Sequence, residues 1–178
     1  MAWTAPATFT DGSILTAAQL NAMRDNFNET APAKATGAGG FIATNGVNSV
    51  IQRNPGSDTV NTSETTTSTS FVDLATVGPR ALSVVTDVRA IVWFTAQLNN
   101  SGAGNESIVG VAVSGATTAA ADDNVSLDNQ SATAFSDITA CRATRFTVTA
   151  GTNNFTAKYR VTAGTGAFRR RQIVVIPV

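Results

Sequence analysis

The chain has 178 residues, 43% of them hydrophobic, with 12 basic and 12 acidic side chains and a formal net charge of zero. That length suits one domain with an extension and is enough to bury a real core, while the balanced, sparse charge excludes a general nucleic-acid binder and a long charged tail. Histidine is absent and Cys141 is the only cysteine, which removes Ser/His/Asp and Cys/His catalysis, CxxC redox chemistry, His-ligated metal sites and any intrachain disulfide.

The opening residues MAWTAPATF have neither the basic start nor the apolar core of a secretion signal, so synthesis in the cytoplasm is expected. No apolar run approaches the roughly 18 residues that span a bilayer, and no membrane insertion is expected. The Asn-x-Ser/Thr triplets at Asn28, Asn61, Asn99, Asn105, Asn124, Asn129 and Asn154 follow from an Asn/Ser/Thr-rich composition and carry no message without such a signal.

Residues 1–32 form the first zone. Thr16 and Gln19 have the spacing of a capping box, and Leu15 and Leu20 occupy the two positions of a hydrophobic staple. Leu20, Met23 and Phe27 then fall at i, i+3 and i+7 on one stripe, with Arg24, Asp25 and Asn28 off it, and Pro32 stops the helix. Helices under about 12–15 residues are marginal alone in water, so the stripe needs a surface to lie against. Trp3, Phe9, Leu15, Leu20, Met23 and Phe27 are the candidate anchor residues.

Residues 33–64 form the second zone, rich in Gly, Ala, Thr, Asn and Ser and broken only by short apolar pairs such as Phe41-Ile42 and Val50-Ile51. Too few to build a core, these read as an extended connector: a flexible linker, or an arm held in extended form by a neighbouring subunit.

Residues 65–178 are dense in strand signals: STSFVDLA and ALSVVT around the Gly78-Pro79 turn, VRAIVWFTAQL, ESIVGVAVSG, and, after the polar stretch TTAAADDNVSLDNQS, ATRFTVTAG, NFTAKYRVTAG and AFRRRQIVVIPV. Seven or eight strands with regular turns and no helix among them predict a mainly β protein, a jelly-roll-like antiparallel β-sandwich preceded by a short amphipathic helix and an arm.

Strand alternation predicts which faces are buried. Phe155, Ala157, Tyr159 and Val161 alternate with Thr156, Lys158, Arg160 and Thr162, one face core and the other wet. The strand at 173–176 is apolar on both sides, Ile173 and Val175 against Val174 and Ile176, and so is 90–98, where Ala90, Val92, Phe94 and Leu98 oppose Ile91 and Trp93. Either an outer sheet face packs on another subunit, with Ile91, Trp93, Ile173 and Val175 as candidate interface residues, or the N-terminal arm covers it.

After Asp137 the sequence has no acidic residue but contains Arg142, Arg145, Lys158, Arg160, Arg169, Arg170 and Arg171. Pairing with earlier acids inside the sandwich is the favoured reading, and complementary patches between subunits the other. The Arg169–Arg171 triplet must point to both faces of its strand, so at least one of the three needs a partner carboxylate or carbonyl. Asp122, Asn124, Ser126 and Asp128 alternate as oxygen ligands would, without the Gly and final Glu of a calcium loop, and read as a solvated loop. No spacing places two carboxylates across a cleft for glycoside hydrolysis, and Phe71, Phe94, Phe146, Phe155 and the mid-strand Trp93 read as core. Cys141 reads as a small buried hydrophobe. No catalytic, cofactor or metal residue is identified.

FTDGSILTAAQLNAMRDNFNETAPAKATGAGGFI resembles the N-terminal segment of small virion proteins of tailed bacteriophages, described as minor tail or structural proteins: an aromatic, a Gly turn, Leu-Thr-Ala-x-x-Leu-Asn, Arg-Asp-Asn, then Ala-Pro-Ala-Lys-Ala-Thr. Residues 9–36 carry the likeness, and GTNNFTAKYRVTAGTGAFRRRQIVVIPV is similar to the closing strands of the same group; residues 37–145 match only in general strand character. The resemblance implies a virion appendage, commonly trimeric, with an N-terminal anchor and a β-sandwich head; the expected partners are other virion proteins through the N-terminal segment, with a host cell-surface glycan as a candidate for the head. Tail-tip or fibre attachment and capsid decoration are both compatible with it. From other classes, a carbohydrate-binding or cell-wall lytic module and a cytoplasmic assembly chaperone remain open.

Overall fold

The computed structural model describes residues 12, 14–28, 30, 34–46 and 49–178. They fall into two compact units, Met1–Asn54 and Pro55–Val178.

In the first unit the helix α1 runs Ala17–Asn28. The capping box forms as its spacing requires. The Thr16 hydroxyl accepts the Gln19 N–H at 3.2 Å, and Gln19 Oε1 accepts the Thr16 N–H at 2.9 Å, satisfying two of the donors a helix start leaves open. At the other end the Thr30 N–H and hydroxyl both donate to the Phe27 carbonyl, at 3.0 and 2.8 Å. Pro32, the expected stop, lies outside the described residues.

The connector expected over 33–64 is not one extended segment. Strands β1 (Phe41–Gly46) and β2 (Ser49–Arg53) pair antiparallel as a hairpin, Phe41 opposite Arg53 and Thr44 opposite Val50. The apolar pairs that looked too few for a core are the strand residues of this ribbon. Gln52 ties it to the turn before it: its Nε2 donates to the Gly37 carbonyl at 2.7 Å, while its Oε1 accepts from the Gly37 N–H at 3.1 Å and the Thr36 hydroxyl at 3.0 Å.

The second unit begins ahead of the expected boundary at residue 65. Its strands are β3 (Gly56–Val60), β4 (Glu64–Thr66), β5 (Arg80–Thr86), β6 (Arg89–Asn100), β7 (Glu106–Gly115), β8 (Leu127–Gln130), β9 (Ile138–Thr147), β10 (Gly151–Val161) and β11 (Gly166–Pro177). Leaving aside the three-residue β4, which adds to the end of β11, the strands pair in a nested series: β3 with β11, β5 with β10, β6 with β9, β7 with β8, all antiparallel. The pairs alternate between two sheets, of order β3-β11-β6-β9 and β5-β10-β7-β8. A long hairpin rolled up in this way is a jelly roll, so the expected fold class holds.

The core lies between the sheets. Phe155, Ala157, Tyr159 and Val161 of β10 face Val92, Phe94, Ala96 and Leu98 of β6, with Val111 of β7 and Phe168, Ile173 and Val175 of β11 filling the same layer, all buried. The Tyr159 and Phe168 rings meet edge to face at 4.9 Å. Two stretches differ from expectation. STSFVDLA is a loop rather than a strand: it pairs with the sheet at one bridge, Val72 to Tyr159, the Ser68 carbonyl also accepts the Val161 N–H at 2.8 Å, and Leu74 enters the core. The polar stretch before β9 holds a single 3-10 turn, Asp123–Val125, and then β8.

The arginine triplet is resolved by a bulge. Register along β11 shifts between Arg169 and Gln172, where Arg170 sits at φ 48, so Arg169 turns outward to Asp137 and Arg171 turns inward. The Arg171 side chain is 1% exposed. Its Nη2 donates to Glu64 Oε2 at 2.8 Å and to the Thr62 hydroxyl at 3.2 Å, its Nη1 approaches the Gly78 carbonyl at 3.4 Å, and the guanidinium lies 5.2 Å from the Tyr159 ring centre. Burial alone would raise the Glu64 carboxyl; the hydrogen bonds from Thr76 and Arg171 outweigh it and hold the group below its ordinary value. Burial pushes the Tyr159 phenol upward, and its hydroxyl donates to the Gly78 carbonyl at 2.8 Å. One buried cation thus fastens β4 and the 78–79 turn to the sandwich.

Candidate functional site

Three sets of residues were singled out from sequence: the anchor stripe, the two-sided strands and the regional cations. The structure treats each differently.

On α1 the stripe is fully displayed. The helix has no buried residue; Leu20 is 51%, Met23 49% and Phe27 69% exposed, and Leu15 and Ile14 continue the apolar surface ahead of it. Trp3 and Phe9 lie outside the described residues. Among the described residues of Met1–Asn54 no apolar side chain is buried, so those residues show an ordered backbone pattern without a core. Ile14 was missed in the sequence because it precedes the cap and has no helical period to place it.

On the sandwich the four expected interface residues divide. Ile173 and Val175 are fully buried, a correction: cross-strand register sets Ile173 beside Phe94 and Val175 beside Val92, so both belong to the core face of β11. Ile91 and Trp93 do face outward, Trp93 with half of its surface accessible. Their partners on β11 are Ile176 and Val174, both half-buried. Trp93 therefore sits between Val174 on one side and Ala143 on the other, an apolar cluster bordered by Thr95, Gln172, Ser57 and Arg145. Reading Trp93 as core is thereby overturned. Cys141, expected buried, is exposed on the same face, opposite Thr95 on the neighbouring strand. Phe94 and Phe155 are core and Phe146 packs against it, whereas Phe71 lies on the outer face of the other sheet, against the bare backbone of Gly110.

Four of the seven regional cations pair with acids within the sandwich, and Arg142 donates to the Ser126 and Asn124 carbonyls. Lys158 bonds Asp73 at 2.7 Å, Arg160 bonds Asp123 at 2.6 Å, and Arg169 and Arg171 bond Asp137 and Glu64. Each of the four ion pairs joins a late strand to an earlier loop or strand, which brings much of the linearly segregated charge together on folding. The alternating Asp122, Asn124, Ser126 and Asp128 do not converge. Asp122 caps the 3-10 turn by accepting the Asn124 N–H at 2.7 Å, while Ser126 is buried. Among the described residues no group of three His, Cys, Asp or Glu side chains is arranged to hold a metal ion, and no helix is long and apolar enough to cross a membrane.

Phe135 is a further exposed aromatic that the sequence did not signal. It is 68% exposed at φ 56 in the loop between β8 and β9, with its N–H bonded to the Asn100 carbonyl at 2.7 Å.

No protein-family model and no curated protein matches the sequence. Among solved structures the chain is similar to an Eiger TNF from S. frugiperda, with TM-score 0.49 and 13% identity over 70% of this chain and 91% of that one. It is also similar to a mutant VP2 protein of infectious bursal disease virus from derived T=1 particles (TM-score 0.46, 12% identity, 80% of this chain and 36% of that one). The structure of the Gx strain of that virus gives TM-score 0.43 and 10% identity with the same coverage. These likenesses carry no argument about the fold, which rests on the strand pairing, or about its use, which rests on the surfaces described above.

Proposed function

We propose that the protein is a non-enzymatic structural component of a bacteriophage virion, anchored through residues 1–32 and displaying the jelly roll outward as a tail-tip or fibre appendage that contacts the host surface. The observation that carries the reading is the N-terminal unit: a properly capped helix and a hairpin with no buried apolar side chain among the described residues. A two-stranded hairpin and a three-turn helix are both marginal alone in water, so this unit is built to be completed by another surface. The resemblance of residues 9–36 to virion proteins of tailed phages supports a particle as that surface. The Ile91, Trp93, Val174 and Ile176 cluster supports a homo-oligomer, a trimer on the same resemblance, since a closed cyclic assembly covers such a face once per subunit.

The test is to locate the chain in purified virions by mass spectrometry and imaging, alongside particles made with a chain lacking residues 1–32. The expected result is a tail-associated protein whose shortened form folds, stays soluble and fails to join particles. Its absence from particles would overturn the reading, a position on the capsid shell would replace the appendage by a decoration protein, and incorporation of the shortened form would sink the anchor.

A further inference from the structure

The outer face of the β5-β10-β7-β8 sheet carries a recess of about 610 Å³ that none of the surfaces above involves. It is built at Gly110. A Cβ at that position would come within 2.8 Å of the Phe71 ring and 3.0 Å of the Ala121 methyl, so the missing side chain lets both settle directly on the sheet as one wall. The adjoining residue Val72 holds this wall in place by exchanging two 2.9 Å backbone hydrogen bonds with Tyr159. Arg160, reaching outward from β10, lies 5.5 Å from the Phe71 ring centre and grips Asp123 with two bonds, Nε to Oδ1 at 2.9 Å and Nη2 to Oδ2 at 2.6 Å. Asp122 also lines the recess, its Oδ1 fixed by the Asn124 backbone and side-chain amides at 2.7 and 2.8 Å.

The hydrogen-bonding groups left over point to a ligand class. Arg160 Nη1, Asp122 Oδ2 and the Thr69 and Ser70 hydroxyls line the recess or its rim and are not engaged by other described groups of the chain. That is a set of donors and acceptors mixed at close range, beside a small apolar wall. Arg160 and Asp123 neutralise each other, leaving the Asp122 carboxylate in excess, so an anionic ligand is disfavoured. The volume is within the range of small-molecule sites. A ring with many hydroxyls satisfies each of these features: hydroxyls bridge the carboxylate and the guanidinium, and a C–H face lies on Phe71 and Ala121. From this arrangement we infer that the recess binds a neutral saccharide of one or two rings. The inference concerns the sandwich alone and stands whether or not the chain belongs to a virion.

The test is an NMR titration of the full chain with lactose, maltose and N,N′-diacetylchitobiose as neutral probes and galacturonate as the anionic one. At least one neutral disaccharide should bind with a Kd of about 1–10 mM, shifting the amides of Ser70, Phe71, Asp123 and Arg160. Asp122→Asn keeps an amide able to cap the turn and should weaken binding about tenfold while the melting temperature is retained. Gly110→Ala should weaken it as well by displacing Phe71, and Ser70→Ala, on an exposed loop, serves as the variant least able to disturb folding. The inference is overturned if no neutral probe shifts these amides at about 50 mM, if Asp122→Asn leaves the affinity unchanged, or if galacturonate binds more tightly than every neutral sugar.

Discussion

The two units use the same kinds of side chain in opposite ways. In Pro55–Val178 the large apolar residues are turned inward by strand alternation, and the core residues of β6, β10 and β11 retain at most 1% exposure. In Met1–Asn54 comparable residues, Leu20, Met23 and Phe27, are lined up with equal regularity and left outside. Local signals are strong in both, the capping box in one and the period-two pattern in the other. The difference teaches that local specification and burial are separate achievements: the sandwich closes its nested pairs on itself, while the described helix and hairpin specify a backbone and leave their apolar side chains uncovered.

The sharpest test compares Phe94→Ala with Phe27→Ala. Loss of the Phe94 ring from the core should cost about 3–5 kcal/mol, read as a fall in the urea midpoint. Phe27→Ala should leave that midpoint unchanged and act only on particle incorporation. Equal effects on stability would erase the distinction between the units.

Arg171→Ala should fall in the same range, about 3–5 kcal/mol, because it strands the Glu64 carboxylate and the Thr62 hydroxyl where β4 meets β11. The acid limb of stability reports the same cluster. The folded Glu64 carboxyl titrates below its ordinary 4.5, so its contribution is fully present above that value and is lost as pH falls through the lower folded one. Urea midpoints between about pH 6 and pH 3 should fall less steeply in Glu64→Gln than in the parent.

On the outer sheet face, Ile91→Thr with Trp93→Ser should change the stability of the fold by under about 1 kcal/mol, as for surface positions, while abolishing self-association in light scattering. Cys141 gives an independent readout. Its labelling by a maleimide should be slow in the assembled parent and fast in the double variant. A parent that is monomeric at micromolar concentration, with Cys141 freely labelled, would remove the face from the list of interfaces.

The smallest effect is expected at the cap. Thr16→Ala removes the hydroxyl that accepts the Gln19 N–H, worth about 1 kcal/mol of helix stability. It should lower the helical signal in circular dichroism without moving the melting of the sandwich.

Much of this architecture was readable in the chain because it rests on near neighbours. The cap, the stripe and the β10 alternation need residues only a few positions apart, and each is as the spacing requires. What could not be read depends on partners far along the chain. β11 is apolar on both faces, so its pattern is the same whichever side is core; only register with β6 assigns Ile173 and Val175 inward and Val174 and Ile176 outward. The hairpin of β1 and β2 has too little apolar content to announce itself, and its pairing is visible only once Gln52 is seen to grip Gly37. The recess was hidden for the same reason. Gly110, Phe71, Ala121 and Arg160 come from separate segments, and a glycine within a strand says that something approaches closely without saying what.

The nesting of the strands also fixes an order of events. β11 lies between β3 and β6, in the interior of its sheet, although it comes last in chain order among the described strands. A ribosome that has not reached Gly166–Pro177 has made a chain whose first sheet has a gap at its middle, and such long-range pairing makes folding slow and late. The helix, by contrast, takes its start signal from residues near Thr16 alone, though at 12 residues it is marginal in water until its stripe is covered. A chain cut short before β11 therefore carries the helix and hairpin complete beside a sandwich whose first sheet cannot close.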